Sequence, residues 1–349
     1  MPYISTNKST RLAIIADDLT GALDSAAPFA GRGLWVEVAV DPEAAAQVVA
    51  SGADIVVINT ASREIPKAEA QARVAAAVAA LPDGLRLFKK VDSRLKGHVG
   101  AEVSALSFHH ALAAPAIPAF GRYVQKGDVV GFGVAAPISV ADALGIEPGR
   151  VDIPDIQTDA DLDACLAASS ADLLIGARGL AEALARQMTA GATPRAATLA
   201  GPCGVFVIGS RDPITLAQVA HLCAAQDLHV IKAPNGAFVP QKRNAALTLV
   251  QATPGKVEMS GPDVGTNLAR GLHPAMTQAG GTLLLTGGAT AEAILHAMGI
   301  KRMRLLGECL PGLAVATAAG LVIVTKSGGF GHEGTLLRVA QLIENRGMA

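Results

Sequence analysis

Short apolar runs and longer helix-like stretches alternate along most of the chain. The first apolar run, 13–16, has the length of a buried strand rather than of a helix. Two aspartates follow it directly and lead into a helix-like stretch at 23–33. The same order of strand and then helix recurs in both halves of the chain. Such alternation predicts a parallel sheet with helices on its faces.

The hydrophobic pattern places further elements in each half. In the first half it predicts strands at 35–40, 54–60, 85–90, 111–120 and 172–180, and helices at 66–81, 98–108 and 181–190. In the second half it predicts strands at 204–210, 229–233, 282–286, 303–308 and 321–326, and helices at 213–226, 261–278 and 289–299, with a last helix behind them. The stretch 121–154 has no clear period, and we interpret it as a hairpin or a flap.

A chain of 349 residues is long for one average domain, and two domains are expected. Residues 191–203 are small, contain proline and have only weak periodicity, as is typical of a linker. The boundary predicts an N-terminal domain at 1–195 and a C-terminal domain at 203–349. The predicted fold class is therefore two-domain α/β, with a mainly parallel sheet flanked by helices in each domain.

The composition narrows the classes of partner. Lys and Arg number 29 against 30 Asp and Glu, so neither nucleic acid nor a membrane is expected as the main partner. Aromatic residues make up only 3%, which argues against base-stacking platforms. Residues 1–10 lack the apolar core of a signal peptide, so a cytoplasmic protein is expected. A small-molecule substrate fits this composition, and a homo-oligomer is compatible with it.

Asp17 and Asp18 stand at the carboxyl end of the first strand, where α/β proteins bind their ligands. An unpaired carboxylate is costly to bury, so two adjacent ones indicate a group to bind or to deprotonate. A simpler interpretation exists for Asp18, which can cap the helix that follows it. The sequence leaves both interpretations open.

Three other strand ends in the first half carry polar side chains. Ser62 and Arg63 follow the strand at 54–60, and Arg122 follows the strand at 111–120. The strand at 85–90 leads into a dense polar group made of Lys89, Lys90, Asp92, Ser93, Arg94 and Lys96. Arginine and lysine bind carboxylates, and Ser and Asp bind hydroxyls, so the set suits a small polyhydroxy acid. The alternative for Arg94 and Lys96 is that of solvated surface charges.

Glycine-rich turns follow strands of the second half. One turn consists of Gly287, Gly288, Ala289 and Thr290, another contains Gly328, Gly329 and Gly331, and Ser210 ends a third strand. Free backbone N–H groups and the helix dipole favour a phosphate at such turns. A single glycine-rich turn often only reverses the chain, but three strand ends of this kind indicate a nucleotide site. The P-loop pattern is absent, and the glycine spacing at 329–334 matches a dinucleotide fingerprint without a complete βαβ unit behind it.

These motifs come in the order found in a known family. They are IADDLTGALD at 15–24, KKVDS at 89–93, the segment 118–122, GSRDPIT at 209–215, LTGGATAEA at 285–293 with HAMG at 296–299, PG at 311–312, and KSGGFG at 326–331. The chain resembles the four-carbon acid sugar kinases, the group that contains threonate, erythronate and 3-oxo-tetronate kinases. The resemblance implies an N-terminal sugar-acid domain and a C-terminal ATP domain, with the active site in the interdomain cleft and Mg²⁺ accompanying ATP.

The resemblance also implies roles for individual residues. Asp17 or Asp18 accepts the proton of the attacking hydroxyl, and Arg63 and Lys90 hold the carboxylate and hydroxyls of the acid. The other substrate-side candidates are Asp92, Ser93 and Arg122. The ATP-side candidates are Ser210, Gly287, Gly288, Ala289, Thr290, Gly328, Gly329 and Gly331. The histidines show no metal-ligand spacing, and the ligands of the metal are left open.

Two departures from the family pattern lie in the substrate half. Arg94 and Lys96 stand where the family usually has Thr and Arg, and the region after Arg122 is shorter than in typical members. Two alternatives therefore accompany the kinase. One is an NAD-dependent dehydrogenase of a hydroxy acid, suggested by the glycine spacing near the C-terminus. The other is a sensor of nucleotides or sugar acids that has lost the chemistry.

Overall fold

The computed structural model describes residues 10–243, 245–278 and 280–345. The chain divides into two compact units, which part between Pro194 and Arg195. This boundary lies inside the linker predicted at 191–203. The sequence expectation about a signal peptide concerns residues 1–10, of which 1–9 lie outside the described residues.

The first unit is built on a parallel sheet. Its strands are β1 (Leu12–Ala16), β2 (Val36–Ala39), β3 (Ile55–Asn59), β4 (Leu87–Lys90), β5 (Ala111–Ala114), β6 (Arg122–Gln125), β7 (Asp128–Gly131), β8 (Ile138–Ser139), β9 (Val151–Asp152) and β10 (Leu173–Gly176). The parallel sheet has the order β2-β3-β1-β4-β10-β5-β9, and β6, β7 and β8 form a separate antiparallel sheet. The hairpin of β6 and β7 lies in the stretch for which a hairpin or a flap is predicted.

Helices cover this sheet, as the alternation predicts. They are α1 (Leu19–Gly31), α2 (Ala45–Val49), α3 (Lys67–Ala79), α4 (Val99–Val103), α5 (Val140–Leu144), α6 (Asp159–Ala168) and α7 (Arg178–Met188). Every residue of β1, β3 and β4 is buried, as expected for strands covered on both faces. In the register of these neighbours, Ala16 pairs with Asn59 of β3 and with Lys90 of β4. The carboxyl ends of the three strands are therefore level, and the residues behind them meet at one edge of the sheet.

The second unit repeats the plan with an antiparallel extension. Its strands are β11 (Gly204–Ile208), β12 (His229–Pro234), β13 (Leu247–Thr253), β14 (Thr282–Thr286), β15 (Arg302–Leu310), β16 (Leu313–Ala318) and β17 (Leu321–Lys326), and its helices are α8 (Pro213–Ala225), α9 (Gly261–Leu272), α10 (Gly288–Ala297) and α11 (Thr335–Glu344). The strands β12-β13-β11-β14-β17 pair in parallel, and β16 and β15 continue the sheet antiparallel. Because β11, β14 and β17 are neighbours, the turns behind them also meet at one edge.

Several predicted elements are shorter than the pattern suggested. The strand expected at 111–120 ends at Ala114, because Pro115 and Pro118 cannot donate to a ladder. In place of the helix expected at 98–108, the structure has only the short helix α4 (Val99–Val103). The helix expected at 261–278 ends at Leu272, just before Pro274, which cannot continue a helical ladder. The pattern missed β13 and β16. No helix in the described ranges is long and apolar enough to cross a membrane.

Candidate functional site

A carboxylate pair held by one arginine stands at the carboxyl end of β1. Arg63 donates from Nε to Asp17 Oδ2 at 2.7 Å and from Nη2 to Asp17 Oδ1 at 2.8 Å. The same Nη2 donates to Asp18 Oδ1 at 2.8 Å. Asp17 is only 3% exposed, and its carbonyl also accepts the backbone N–H of Ser62. The turns behind β1 and β3 are thus joined by backbone and side-chain bonds.

Asp18 also caps α1, as the simpler interpretation predicted. Its Oδ1 accepts the backbone N–H of Gly21 at 3.1 Å, and its Oδ2 accepts the hydroxyl of Thr20. The side chain of Asp18 keeps 18% of its surface exposed, against 4% for that of Asp17. Both oxygens of Asp18 thus have partners within the protein, but its carboxylate remains more exposed than that of Asp17, so capping does not exclude contact with an incoming group.

Lys90 lies beside this pair. A Cβ atom added to Gly21 would lie 2.4 Å from Asp18 Oδ1 and 2.9 Å from the ammonium nitrogen of Lys90. The ammonium donates to the carbonyl of Val91 at 2.8 Å. Gly97 closes the other side, since an added Cβ would lie 3.1 Å from Asp17 Oδ2 and its φ is +91°. Glycine at both positions lets backbone approach the carboxylates closely.

A buried ion pair is linked by hydrogen bonds to the turns that carry Arg63 and Asp17. Lys89 Nζ lies 2.7 Å from Glu102 Oε2, and both side chains are nearly inaccessible, at 0% and 2% exposed. The other oxygen of Glu102 accepts the hydroxyl of Ser62, which in turn contacts the hydroxyl of Thr60 at 2.7 Å. Thr60 donates to the carbonyl of Ala16 at 2.9 Å. The network links β4, α4 and the turn that carries Arg63 to the end of β1.

Charge decides the protonation state of Asp17. Burial raises the pKa of this carboxyl, but the hydrogen bond from Arg63 and the positive charges of Lys89, Arg63 and Lys90 outweigh it. The pKa of Asp17 therefore lies below its usual value, and the group is ionised at neutral pH. Burial lowers the pKa of Arg63, but Asp17 and Asp18, with Asp92, raise it above its ordinary value.

A second group of polar residues lies behind β4 and β5. Arg122 donates from Nε and Nη2 to the carbonyl of Phe132, at 3.2 and 2.9 Å, and from Nη1 to the hydroxyl of Ser93. Asp92 accepts the backbone N–H of Arg94 at 2.8 Å. Burial and then the neighbouring charge of Arg94 lower the pKa of Arg122, while Asp92 raises it. The negative charge of Asp92 thus raises the pKa of both Arg63 and Arg122.

The glycine turns of the second unit surround Ser210. A Cβ atom added to Gly287 would lie 3.8 Å from the backbone nitrogen of Ser210, and one added to Gly328 would lie 2.5 Å from Ser210 Oγ. Gly287 has a φ of +91° and precedes α10. Asp212 caps α8 by accepting the N–H of Ile214 at 2.9 Å. The ends of β11, β14 and β17 thus form one polar corner at two helix N-termini.

Lys326 ties the last of these turns down. Its ammonium donates to the hydroxyl of Thr215 at 2.9 Å and to the carbonyls of Ser327 and Gly328 at 3.0 Å each. The side chain is fully buried, and no carboxylate of the described residues pairs with it. Burial, only partly offset by Asp212, lowers the pKa of Lys326 to about 8. The buried charge holds the backbone of the turn through neutral oxygens.

Other candidates of this corner have packing roles. Thr290 is 4% exposed, and a Cβ atom on Gly209 would overlap its hydroxyl. Ala289 presents its carbonyl to α9, where Gly265 leaves room for it. Gly331 has a φ of +84° and packs against Thr335. Gly288 is the first residue of α10, and Gly329 lies near Asp212 without close contact.

The corner around Ser210 contains one carboxylate that fits a divalent metal ion. The described residues contain no group of three His, Cys, Asp or Glu side chains able to hold a metal by themselves. Mg²⁺ in phosphoryl-transfer sites commonly takes one or two carboxylates and completes its shell with phosphate and water. The carboxylate of this corner is that of Asp212, which lies beside the turn at Gly328 and Gly329.

Sequence reasoning missed several residues of these sites. Glu102 gave no signal, because its partner Lys89 lies 13 positions before it and only the fold brings them together. Asp212 precedes the helix predicted at 213–226, where an aspartate is typical of a helix cap, so no separate signal in the sequence marked it as a site residue. The positive φ of Gly97 has no sequence signature beyond the glycine itself. Arg94, for which a solvated alternative stood open, lies beside Arg122.

Comparison with known proteins defines the class of both units. A family model described as a sugar-binding N-terminal domain matches residues 12–143. A second model, described as a nucleotide-binding C-terminal domain, matches residues 239–336. Together they cover about two thirds of the chain. The first unit is thus similar to a sugar-binding domain and the second unit to a nucleotide-binding domain.

Relatives that match nearly the whole length of the chain narrow the choice of protein family. The chain is 27% identical to D-threonate kinase of Salmonella typhimurium, over 96% of this chain and 98% of that protein. It is 27% identical to 3-oxo-tetronate kinase of Cupriavidus necator, over 92% and 94%. A crystal structure of a Haemophilus influenzae protein has the same fold, with a TM-score of 0.70 at 20% identity, covering 95% of this chain and 100% of that one. The chain belongs to the four-carbon acid sugar kinase family.

Proposed function

We propose that this protein is an ATP-dependent kinase that phosphorylates a hydroxyl of a small sugar acid such as threonate, erythronate or a 3-oxo-tetronate. Membership of the family supports a kinase of sugar acids. The observation that carries the proposal is the group of Asp17, Asp18, Arg63 and Lys90, which combines proton acceptors with cations at one sheet edge. The sugar acid would be bound by the domain at 1–195 and ATP by the domain at 203–349.

Asp18 is the proton acceptor in this proposal. Its side chain is more exposed than that of Asp17 and lies beside the ammonium of Lys90. Asp17 has both oxygens bound by Arg63 and a lowered pKa, which makes it a weak base. Its role is to hold Arg63 in place. The hydroxyls of the acid would then be bound by Lys90, Asp92 and Ser93.

The corner around Ser210 would bind the phosphates of ATP. The backbone N–H groups that begin α10 are not used within the helix, and the helix dipole favours an anion there. The turn Gly328–Gly331 brings further backbone close to Ser210. Asp212 would hold Mg²⁺, which supplies positive charge to the triphosphate. Ser210, Gly287, Gly288, Gly328 and Gly329 are the contact candidates, with Ala289, Thr290 and Gly331 shaping the turns.

The proposed reaction is a direct in-line transfer. The substrate hydroxyl loses its proton to Asp18, its oxygen bonds to the γ-phosphorus, and the bond from that phosphorus to the oxygen of ADP breaks. Phosphoryl transfer relies on positioning and electrostatic stabilisation, so a few fixed groups suffice. That the acid and the nucleotide meet in an interdomain cleft stays a prediction.

The test is ADP release with ATP and Mg²⁺ over a panel of four-carbon sugar acids, with the product checked by phosphorus NMR. A kinase gives ADP and a phosphorylated acid in equal amounts with at least one acid. Binding of acid and nucleotide without turnover would contradict the kinase and support the sensor. Change in the absorbance of a nicotinamide cofactor with the same acids would instead support the dehydrogenase.

A further inference from the structure

The guanidinium groups of Arg94 and Arg122 both approach Gly133 in the first unit. A Cβ atom added to Gly133 would lie 3.3 Å from Arg122 Nη2 and 3.9 Å from Arg94 Nη1, so both groups reach the same glycine. Each arginine is partly buried. Their proximity also acts on Arg122, whose pKa is lowered by burial and then by the charge of Arg94. Two like charges held together in this way repel each other unless an anion lies between them.

The two arginines differ in how they are held. Arg122 is fixed by Ser93 and by the carbonyl of Phe132, so its fork has a set direction. The guanidinium of Arg94 has no hydrogen bond or ion pair with any residue that the structure describes, and only its backbone N–H is bound, to Asp92. The negative charge of Asp92 acts on Arg122 and also on Arg63, and it forms no ion pair with either arginine among the described residues.

Arg63 cannot take the same part. Its Nε and Nη2 are both occupied by Asp17 and Asp18, so it is not free to form a bidentate pair with another carboxylate. The guanidinium of Arg94, by contrast, keeps all of its N–H donors without a partner among the described residues. Arginine forks match the planar geometry of a carboxylate.

We infer that Arg94 and Arg122 form the receptor for the carboxylate of the substrate and make the site selective for acids over neutral polyols. This inference rests on the proposed function. Arg122 is the fixed half of the receptor, and Arg94 is the half that turns onto the bound carboxylate. Lys90 and Asp18 are thereby left for the hydroxyl that reacts.

The test compares Arg94→Met, Arg122→Met and Lys126→Met. Lys126 is an exposed cation at the turn between β6 and β7, so its replacement removes one charge from the same hairpin without touching the pair. Binding of D-threonate and of the uncharged polyol threitol is measured by calorimetry without nucleotide, and kcat/KM for D-threonate is measured with ATP. If the wild type prefers another acid of the four-carbon panel, that acid replaces D-threonate in both measurements. Thermal melting of each variant checks the fold.

Arg94→Met should weaken binding of the acid about 10- to 100-fold, as expected for a lost hydrogen bond between charged groups, and leave threitol and the melting temperature unchanged. Arg94→Lys should restore part of the affinity, because it returns the charge without the fork. Arg122→Met should weaken acid binding at least as much. Lys126→Met should match the wild type.

The inference is overturned if Arg94→Met binds the acid like the wild type, or if it loses acid and polyol equally. It is also overturned if Lys126→Met loses as much as Arg94→Met. A wild-type protein that binds the acids of the panel but ignores these substitutions contradicts only the inference. A wild-type protein that binds none of them contradicts the proposed function as well.

Discussion

Replacing Asp17 and Asp18 separately by Asn should separate stability from chemistry. In Asp17→Asn, the amide nitrogen cannot accept a hydrogen bond, so one of the two bonds from Arg63 is lost. Breaking a buried ion pair costs about 3–5 kcal/mol. The Arg63 side chain is 22% exposed and keeps Asp18 as a partner, so the loss should be nearer 2 kcal/mol. A unit of this size should then melt about 4–8 °C lower.

Asp18→Asn should behave in the opposite way. Asn caps helices as well as Asp does, so the bond from Gly21 is retained and the melting temperature should change little. Turnover should fall about 10²- to 10⁴-fold, because an amide cannot accept the substrate proton. Turnover of Asp17→Asn should fall less. Asp83→Asn, in an exposed turn, controls for the loss of one negative charge.

The assays are differential scanning calorimetry and steady-state ADP release. The pH dependence of the melting temperature also tests the direction of the pKa shift of Asp17. Because the pKa of Asp17 lies below its usual 3.8, its contribution to stability is present above that value and is lost as the pH falls through the lower, native pKa. The melting difference between wild type and Asp17→Asn should therefore shrink below about pH 4. Full turnover in Asp18→Asn with none in Asp17→Asn would refute the assignment of the base.

Three further predictions concern other parts of the molecule. Gly328→Ala should weaken ATP binding at least about 10-fold in calorimetry, because the new Cβ would overlap Ser210. Gly261→Ala, whose Cβ would have nothing closer than 4.0 Å, should bind ATP like the wild type, and equal losses in the two variants would contradict this. Lys326 binds fewer protons when folded, so stability should rise between pH 8 and 10.5 in the wild type and not in Lys326→Met; parallel melting curves would contradict this. Glu102→Gln should cost about 3 kcal/mol in urea unfolding, because it leaves Lys89 buried and uncompensated, and a wild-type midpoint would contradict it.

The repeated order of strand and helix was sufficient to predict the α/β class, and the structure confirms it. Strands such as β14 and β17 have the predicted bounds, because each is a short apolar run ended by glycine or a polar residue. The family was also recognisable from sequence, since its motifs come in a fixed order. Elements with less contrast were missed: β16 is rich in alanine and has little hydrophobic pattern of its own.

The candidate residues could be named from sequence because parallel strands deliver their carboxyl ends to one edge, so polar residues behind β1, β3 and β4 had to come near each other. The role of each of these residues could not be predicted from the sequence. That Arg63 binds both aspartates, that Asp18 also caps α1, and that Lys89 pairs with Glu102 depend on side-chain directions and burial, which only packing determines. The local sequence pattern determines which residues reach an edge of the sheet. Which charged side chains pair there depends on distances of a few ångströms between residues far apart in the chain, and only the tertiary structure determines those distances.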